Sequence, residues 1–238
     1  MKYLKKINKS LNYIYLICEK YGIINYTINN DGSIDVIGDV NLIGKRLSKL
    51  PLKFRSVSGD FYCDNNQSTS LWGAPKSVGG SFYCNNNQLI SLRGAPESVG
   101  GDFYCQNNQL TTLEGAPRSV SRDFYCQNNQ LITLEGAPRS VSRDFYCQNN
   151  QLTSLEGSPK SVGRDFYCHN NQLTTLEGSP EFLGGSFYCD NNPVESIWNL
   201  FKDYSKIEIF NDYDVIRGNK VILDRLNDFL IYIGKPPV

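Results

Sequence analysis

Cysteine, tyrosine and aspartate recur through this chain at one fixed spacing, and they are the first candidates for chemistry. The tripeptide Phe-Tyr-Cys begins at seven positions 21 residues apart: Phe61, Phe82, Phe103, Phe124, Phe145, Phe166 and Phe187. A zinc site needs about four ligands that converge at roughly 2.3 Å for sulfur. One cysteine per repeat makes a line of thiols instead of a cluster, so the spacing predicts no metal site.

Acid–base or nucleophilic catalysis finds no support in the pattern either. His169 is the single histidine of the chain, and no nucleophile motif accompanies it. Paired carboxylates would need a pocket that separates their pKa values, whereas the repeated aspartates predict an open and uniform row. Neither a Gly-rich phosphate loop nor a zinc-protease motif is present. The sequence therefore predicts a protein that is not an enzyme and has no cofactor.

Alternation within one repeat predicts the element that positions these side chains. In Asp123–Gln127 the apolar Phe124 and Cys126 alternate with polar or amphipathic residues, which is typical of a short half-buried strand. Leucines and a valine later in the unit return to the core, and a Gly-x-Pro turn redirects the chain. Because one unit cannot bury its own apolar face, the units are expected to stack as a solenoid.

Composition limits the class of partner and the compartment. Lys plus Arg and Asp plus Glu are both 24, so the formal net charge is zero, and we expect neither nucleic acid nor a membrane as partner. Seven of the eight cysteines occupy one repeat position. We interpret them as free core thiols in a reducing compartment, which predicts a cytoplasmic location.

The core run F-x-C-x-x-N-x-L-x-x-L, as in residues 124–134, resembles the leucine-rich-repeat signature L-x-L-x-x-N-x-L-x-x-L. This resemblance implies a curved array of short parallel strands, in the α/β to mainly β class. It also implies a structural ladder of asparagines, three residues after each Cys, that bind the backbone of adjacent units. The ladder residues are Asn66, Asn87, Asn108, Asn129, Asn150, Asn171 and Asn192.

The short unit and its N-N-Q-L-T-x-L wording look like the bacterial-effector subclass of these repeats. The whole chain also resembles repeat proteins of tailed phages. These resemblances imply a non-enzymatic, protein-binding scaffold, phage-encoded and acting on a host or viral protein in the bacterial cytoplasm. A glycan-binding module and a purely structural virion or assembly component remain as alternatives.

Three domains are expected along the chain. Residues 1–37 form an N-terminal cap, with a helix at 3–21 followed by a hairpin around Asn30-Asp31-Gly32. Residues 38–198 form the solenoid, with one degenerate and seven clear units. Residues 199–238 form a helical C-terminal cap; a short helix is predicted near 194–203, extended pieces near 206–217 and a helix near 219–232.

The outward positions of the strands form three columns on a concave sheet, and these are the candidate binding residues. The first column includes Asp102, Asp123, Asp144 and Asp165. The second is Tyr62, Tyr83, Tyr104, Tyr125, Tyr146, Tyr167 and Tyr188. The third includes Gln106, Gln127, Gln148 and His169. Tyrosine is a frequent interface anchor, but tyrosines stacked across strands also stabilise one another, so both roles stay open.

Two sets of charges predict ion pairs. The column Glu114, Glu135, Glu156 and Glu177 is expected to pair with Arg118, Arg139 and Lys160 on the surface. Arg122, Arg143 and Arg164 are expected to be neutralised by the aspartates that follow them, Asp123, Asp144 and Asp165.

Overall fold

A computed structural model describes residues 2–193, 216–217, 220–221 and 223–232 of the chain. The helix predicted near 194–203 lies outside the described residues, as does most of the segment predicted to be extended near 206–217. None of the helices within these described ranges is long and apolar enough to cross a bilayer.

The N-terminal part consists of one helix and one hairpin. Helix α1 spans Lys2–Tyr21, and the buried side chains of Ile14 and Cys18, four residues apart, lie on one of its faces. Gly22 follows with a φ of 65°, a conformation that glycine adopts without strain at a helix end. Strands β1 (Tyr26–Ile28) and β2 (Ile34–Val36) then pair antiparallel. Strand β2 also pairs in parallel with the next strand of the solenoid, so the hairpin extends a solenoid sheet.

Each 21-residue unit contributes two short strands, which build two parallel sheets. The first sheet has eight strands, and seven of them are the Phe-Tyr dipeptides of the repeat. Its strands are β3 (Val40–Asn41), β5 (Phe61–Tyr62), β7 (Phe82–Tyr83), β9 (Phe103–Tyr104), β11 (Phe124–Tyr125), β13 (Phe145–Tyr146), β15 (Phe166–Tyr167) and β17 (Phe187–Tyr188). Equivalent residues pair in register, for example Tyr125 with Tyr104 and Tyr146. The predicted solenoid of short parallel strands is confirmed.

The second sheet has nine strands and was not anticipated from the sequence. After β1 and β2 it contains β4 (Phe54–Val57), β6 (Ser77–Val78), β8 (Ser98–Val99), β10 (Ser119–Val120), β12 (Ser140–Val141), β14 (Ser161–Val162) and β16 (Phe182–Leu183). A two-residue strand has too few residues to show alternation. The sequence signal for these strands is the recurrence of Ser-Val every 21 residues, of which only the valine was predicted, as a core residue.

Five apolar columns fill the space between the two sheets. In one central unit Phe124, Cys126, Leu131 and Leu134 are 0% exposed and Val141 is 1% exposed. The Phe rings stack along the solenoid with centroids 5.2–5.5 Å apart. All eight cysteines are buried and unpaired. The prediction that Phe and Cys point into a shared interior is therefore confirmed.

Two left-handed residues per unit make the turns possible. The first asparagine of each Asn-Asn pair has a φ of 53–57°, as at Asn128 (57°), a region that Asn tolerates better than other side chains. Gly136 has a φ of 88°, and a Cβ there would lie 2.6 Å from the backbone nitrogen of Glu114. Only glycine fits this position, because the turn both needs a positive φ and packs on the backbone of the preceding unit.

The described C-terminal residues form a small hairpin and a helix. Strands β18 (Ile216–Arg217) and β19 (Lys220–Val221) pair antiparallel, and helix α2 spans Leu223–Tyr232. The prediction of a helix near 219–232 is wrong at its start, because Lys220 and Val221 belong to a strand. The sequence signal for this difference is Gly218-Asn219, a dipeptide typical of two-residue hairpin loops.

Candidate functional site

The outer face of the eight-stranded sheet carries the predicted tyrosine column, from Tyr62 to Tyr188. We call the surface formed by this column, the aspartate column before it and the glutamine column after it the Tyr face. Neighbouring Tyr rings stack nearly parallel, with centroids 4.5–4.6 Å apart from Tyr62 to Tyr188. This spacing is shorter than that of the buried Phe rings, which fits a sheet that curves towards its tyrosines. Each inner ring has both faces covered, so the column presents ring edges and hydroxyls.

The aspartates of the first column form hydrogen bonds within the solenoid. Tyr125 donates its hydroxyl to Oδ2 of Asp123 at 3.1 Å, and the backbone N–H of Asp144 donates to Oδ1 of Asp123 at 2.9 Å. Asp60, Asp102, Asp144 and Asp165 make the same two bonds in their units. Each Asp thus fixes a Tyr hydroxyl and the start of the next strand. These contacts give the aspartates a role in positioning the tyrosines, and their predicted contact with a partner stays a prediction.

Burial and the nearby carboxylates keep the Tyr hydroxyls protonated. The hydrogen bond to Asp60, together with burial, raises the pKa of Tyr62 to about 12. Burial, followed by the hydrogen bond to Asp165, raises the pKa of Tyr167 to about 12. Burial raises the pKa values of Tyr104, Tyr125 and Tyr146 further. The face is therefore a row of neutral, oriented hydroxyls at physiological pH.

The third column contains buried acceptors without donors. The side-chain oxygens of Gln106, Gln127 and Gln148 are buried and accept no hydrogen bond from the described residues, and the same holds for one oxygen each of Asp64 and Asn85. An unsatisfied buried acceptor costs about 1–3 kcal/mol. His169 continues the column and contacts Tyr167 edge-on, with ring centroids 6.4 Å apart.

The predicted asparagine ladder lies below this face. Asn129 donates through Nδ2 to the carbonyl oxygens of Cys105 (3.2 Å) and Cys126 (3.1 Å), and its Oδ1 accepts from the backbone N–H of Leu110 at 3.1 Å. The structure places the equivalent residues Asn66, Asn87, Asn108, Asn150, Asn171 and Asn192 in the same arrangement. These amides satisfy turn backbone that is shielded from water.

A second asparagine ladder was missed from the sequence. The first Asn of each pair donates from Nδ2 to Oδ1 of its equivalent one unit earlier, as from Asn128 to Asn107 at 2.8 Å. The chain of six such bonds runs through Asn65, Asn86, Asn107, Asn128, Asn149, Asn170 and Asn191. It lies at the surface beside the Tyr face. Its signal was the doubled asparagine in every full unit.

Both predicted sets of ion pairs are wrong. The carboxylates of Asp123, Asp144 and Asp165 are engaged as described above, and Arg122, Arg143 and Arg164 lie in no ion pair among the described residues. Glu114 pairs with Arg93, and Lys160 pairs with Glu181, each exactly one unit away. Neighbours one unit apart are about 4.8 Å distant, closer than residues four positions along the chain. Pairs such as these form between residues of opposite charge one unit apart in the same column.

The described residues contain no group of three or more His, Cys, Asp or Glu side chains arranged to hold a metal ion. The thiols are separated in a line within the core, and burial raises the pKa of Cys105 and its neighbours well above the ordinary value.

Comparisons with known proteins add little to this description. No family model matches the chain, and no curated protein matches it. Among solved structures the chain is similar to YopM, described as a leucine-rich effector protein from Yersinia pestis, at 22% identity and a TM-score of 0.43. The match covers 65% of this chain and 49% of YopM, so it spans about half the length of that protein. A likeness of this size carries no argument about function, and the resemblance to phage repeat proteins finds no support in the comparisons.

Proposed function

We propose that this protein is a non-enzymatic scaffold that binds another protein through the Tyr face. The observation that carries the proposal is the row of seven stacked tyrosines, most of whose hydroxyls are held in place by aspartates of the same unit. Parallel repeat arrays generally use such extended surfaces for binding.

Preorganisation is the physical reason why this face suits a protein partner. Association normally costs about 0.5–1.5 kcal/mol for each flexible side chain that becomes ordered. Stacking and the Asp hydrogen bonds have already ordered the tyrosines. Eight strands at a spacing of about 4.8 Å give a face about 34 Å long, which accommodates one helix of about 20 residues.

The glycan alternative is less well supported by the geometry. Sugars pack against the open face of an aromatic ring, and the inner rings of this column have both faces covered by neighbouring rings. Only Tyr62 and Tyr188, at the two ends, have a ring face without a stacked tyrosine. A partner that recognises ring edges, hydroxyls and amides fits the whole length of the face.

Compartment and origin belong to the proposal as well. Eight buried, unpaired cysteines suit a reducing environment, which favours a bacterial cytoplasm. The phage origin and a host or viral target rest only on the resemblance of the sequence.

A face-blocking variant tests the proposal. Gln127→Arg places a long cationic side chain at the centre of the Tyr face, whereas truncating the tyrosines would remove the stack itself. We expect Gln127→Arg to reduce capture of a partner from the native host about tenfold or more. Ile132→Arg is the matched control, since Ile132 is 54% exposed and lies outside the Phe-Tyr strands.

Quantitative mass spectrometry of the captured proteins distinguishes the outcomes, with thermal melts to verify folding. Equal capture by both variants would contradict the proposal. So would a captured species released by free sugars, which would favour the glycan module.

A further inference from the structure

The outer face of the nine-stranded sheet forms a trough with a floor of small side chains. It is an open cavity of about 590 Å³ that reaches from Asp35 and Ile37 over β4, β6 and β8 to Ser119 and Ser121, and serines, glycines and valines line most of it. Register pairing continues the same floor over β12 and β14, where Ser140 and Ser161 follow Ser119. The trough lies on the other sheet from the Tyr face.

Two columns of cations flank β10, β12 and β14, the strands that continue the sheet beyond the cavity. One column is Arg118, Arg139 and Lys160, just before the strands, and the other is Arg122, Arg143 and Arg164, just after them. Backbone hydrogen bonds hold neighbouring rows together, as from Arg143 N–H to the carbonyl of Arg122 at 3.3 Å and from Arg164 N–H to that of Arg143 at 3.1 Å. All six side chains belong to exposed residues.

Five of these six cations have no ion-pair partner among the described residues; Lys160 pairs with Glu181 at 2.8 Å. The nearest aspartates, such as Asp123, use both carboxylate oxygens for a Tyr hydroxyl and a backbone N–H. Like charges stacked about 4.8 Å apart repel one another. An anionic partner would relieve this repulsion as well as make its own contacts.

Arg122, Arg143 and Arg164 occupy a repeat position that is glycine in four other units. The same position is glycine at 59, 80, 101 and 185, and a Cβ there would meet the side-chain oxygen of a neighbouring Asp or Ser at 2.0–2.4 Å. The three central units therefore place a side chain where the other units leave room for none. Packing offers no gain from this exchange, which points to a role at the surface.

We propose that the acidic face of an α-helix from a partner protein docks across β10, β12 and β14, between the two cation columns. The two cation columns are four residues apart on either side of a two-residue strand, a separation of at most about 14 Å for an extended chain, and a helix with its side chains is about 10–12 Å wide. The helical pitch of about 5.4 Å differs from the row spacing of about 4.8 Å by little over 1 Å across three rows. Arginine side chains are long enough to absorb that difference.

Acidic columns limit the width of the partner. The glutamates at 114, 135, 156 and 177 are exposed and run alongside the cations, four residues before the first column. A bilayer or a long nucleic acid would extend over these carboxylates and be repelled. A single helix lies between the cation columns and avoids them.

Phe182 marks one end of the docked helix. It occupies the position that is serine in the preceding units, pairs in register with Ser161, and is 57% exposed. An exposed aromatic residue beside a charged row is typical of an interface anchor. We therefore expect the partner helix to carry an apolar residue at the end that reaches Phe182.

The test uses the full chain and a labelled helical peptide of about 20 residues, alanine-rich, with glutamates along two flanks and one terminal leucine. A matched peptide has glutamine in place of glutamate. In fluorescence anisotropy at low salt, we expect the glutamate peptide to bind at least about tenfold more tightly, with affinity falling as salt rises. The triple variant Arg122→Gln, Arg143→Gln, Arg164→Gln should lose about tenfold, and Phe182→Ser should weaken binding severalfold.

A second triple variant, Lys45→Gln, Arg46→Gln, Lys49→Gln, removes the same charge from exposed positions away from β10, β12 and β14, and it should stay within about twofold of the native affinity. Equal binding of the two peptides, no binding, or equal losses in the two triple variants would overturn the proposal. Tighter binding of an oligothymidylate or of phosphatidylserine vesicles, abolished by the same arginine variant, would also overturn it. Gln127→Arg on the Tyr face should leave the affinity unchanged, so the two surfaces are tested independently.

Discussion

Raising the pH above about 9 is expected to unfold this protein in one cooperative step, because its core contains a column of neutral thiols. Burial raises the pKa values of Cys63, Cys84, Cys105, Cys126, Cys147 and Cys168 above the ordinary thiol value, several of them far above it. These groups stay protonated in the folded state and ionise once the chain unfolds.

The sign follows from the direction of the shifts. A group whose pKa is raised on folding contributes its full stability below the unfolded pKa and loses it as the pH rises towards the folded value. Six such thiols together lower the free energy of unfolding by roughly 8 kcal/mol for each pH unit above the ordinary thiol pKa. The tyrosines with raised pKa values, such as Tyr125, add to the loss above about pH 10. Few domains have a free energy of unfolding larger than about 15 kcal/mol.

Circular dichroism against pH, with reversibility checked on return to neutral pH, measures this transition. Cys126→Ala removes one thiol and should make the dependence on pH less steep by about one sixth, although the variant is less stable at neutral pH. Thiolate absorbance that appears near pH 9 while the protein is still folded would contradict the prediction, as would a pH dependence unaffected by removing thiols.

Asn129→Ala is expected to lower the free energy of unfolding by about 3 kcal/mol or more. The change removes an amide that donates to the carbonyls of Cys105 and Cys126 and accepts from the N–H of Leu110. Asn129 is 9% exposed, so water has little access to the backbone groups left without partners. Because each unit contacts only its neighbours, we expect the effect to reach both adjoining units.

The adjacent residue provides the control. Asn128→Gly keeps the left-handed backbone, whose φ is 57°, and removes only exposed side-chain bonds to neighbouring asparagines. Its cost should be below about 1 kcal/mol. Urea unfolding of both variants gives the comparison. A similar small loss for both would show that the inner ladder contributes far less than its geometry indicates.

Much of the interior could be predicted from the sequence, because the repeat shows its own alternation. Phe124 and Cys126 alternate with polar residues, and their burial follows from the period of a strand. The turn at Gly136 could also be predicted, because a glycine recurs at this position of the repeat. Seven copies of the same pattern made these inferences stronger than any single segment could.

The surface was harder to predict, because contacts there join equivalent residues one unit apart. Arg143 is next to Asp144 in sequence, yet the Asp oxygens bind a Tyr hydroxyl and a backbone N–H. Ser140 and Val141 form a strand only through their neighbours in adjacent units. Reasoning along the chain favours partners a few residues away, whereas a solenoid places residues 21 apart at the shortest distance.

Consequently the two faces of the molecule differ in what they offer. The Tyr face presents hydroxyls and amides, while the opposite sheet carries exposed arginines that form no ion pair within the described part of the chain. A scaffold with two chemically distinct faces can hold two partners at once. This possibility follows directly from the two proposals and needs no change of conformation.

Native thiol labelling followed by mass spectrometry tests the orientation of the columns, on which both faces depend. The account predicts that alkylation of the folded protein leaves the cysteines from Cys63 to Cys168 unmodified, since each is at most 2% exposed, and that all eight cysteines react after unfolding. Rapid labelling of these residues in the folded protein, or masses that show them joined as disulfides, would contradict it.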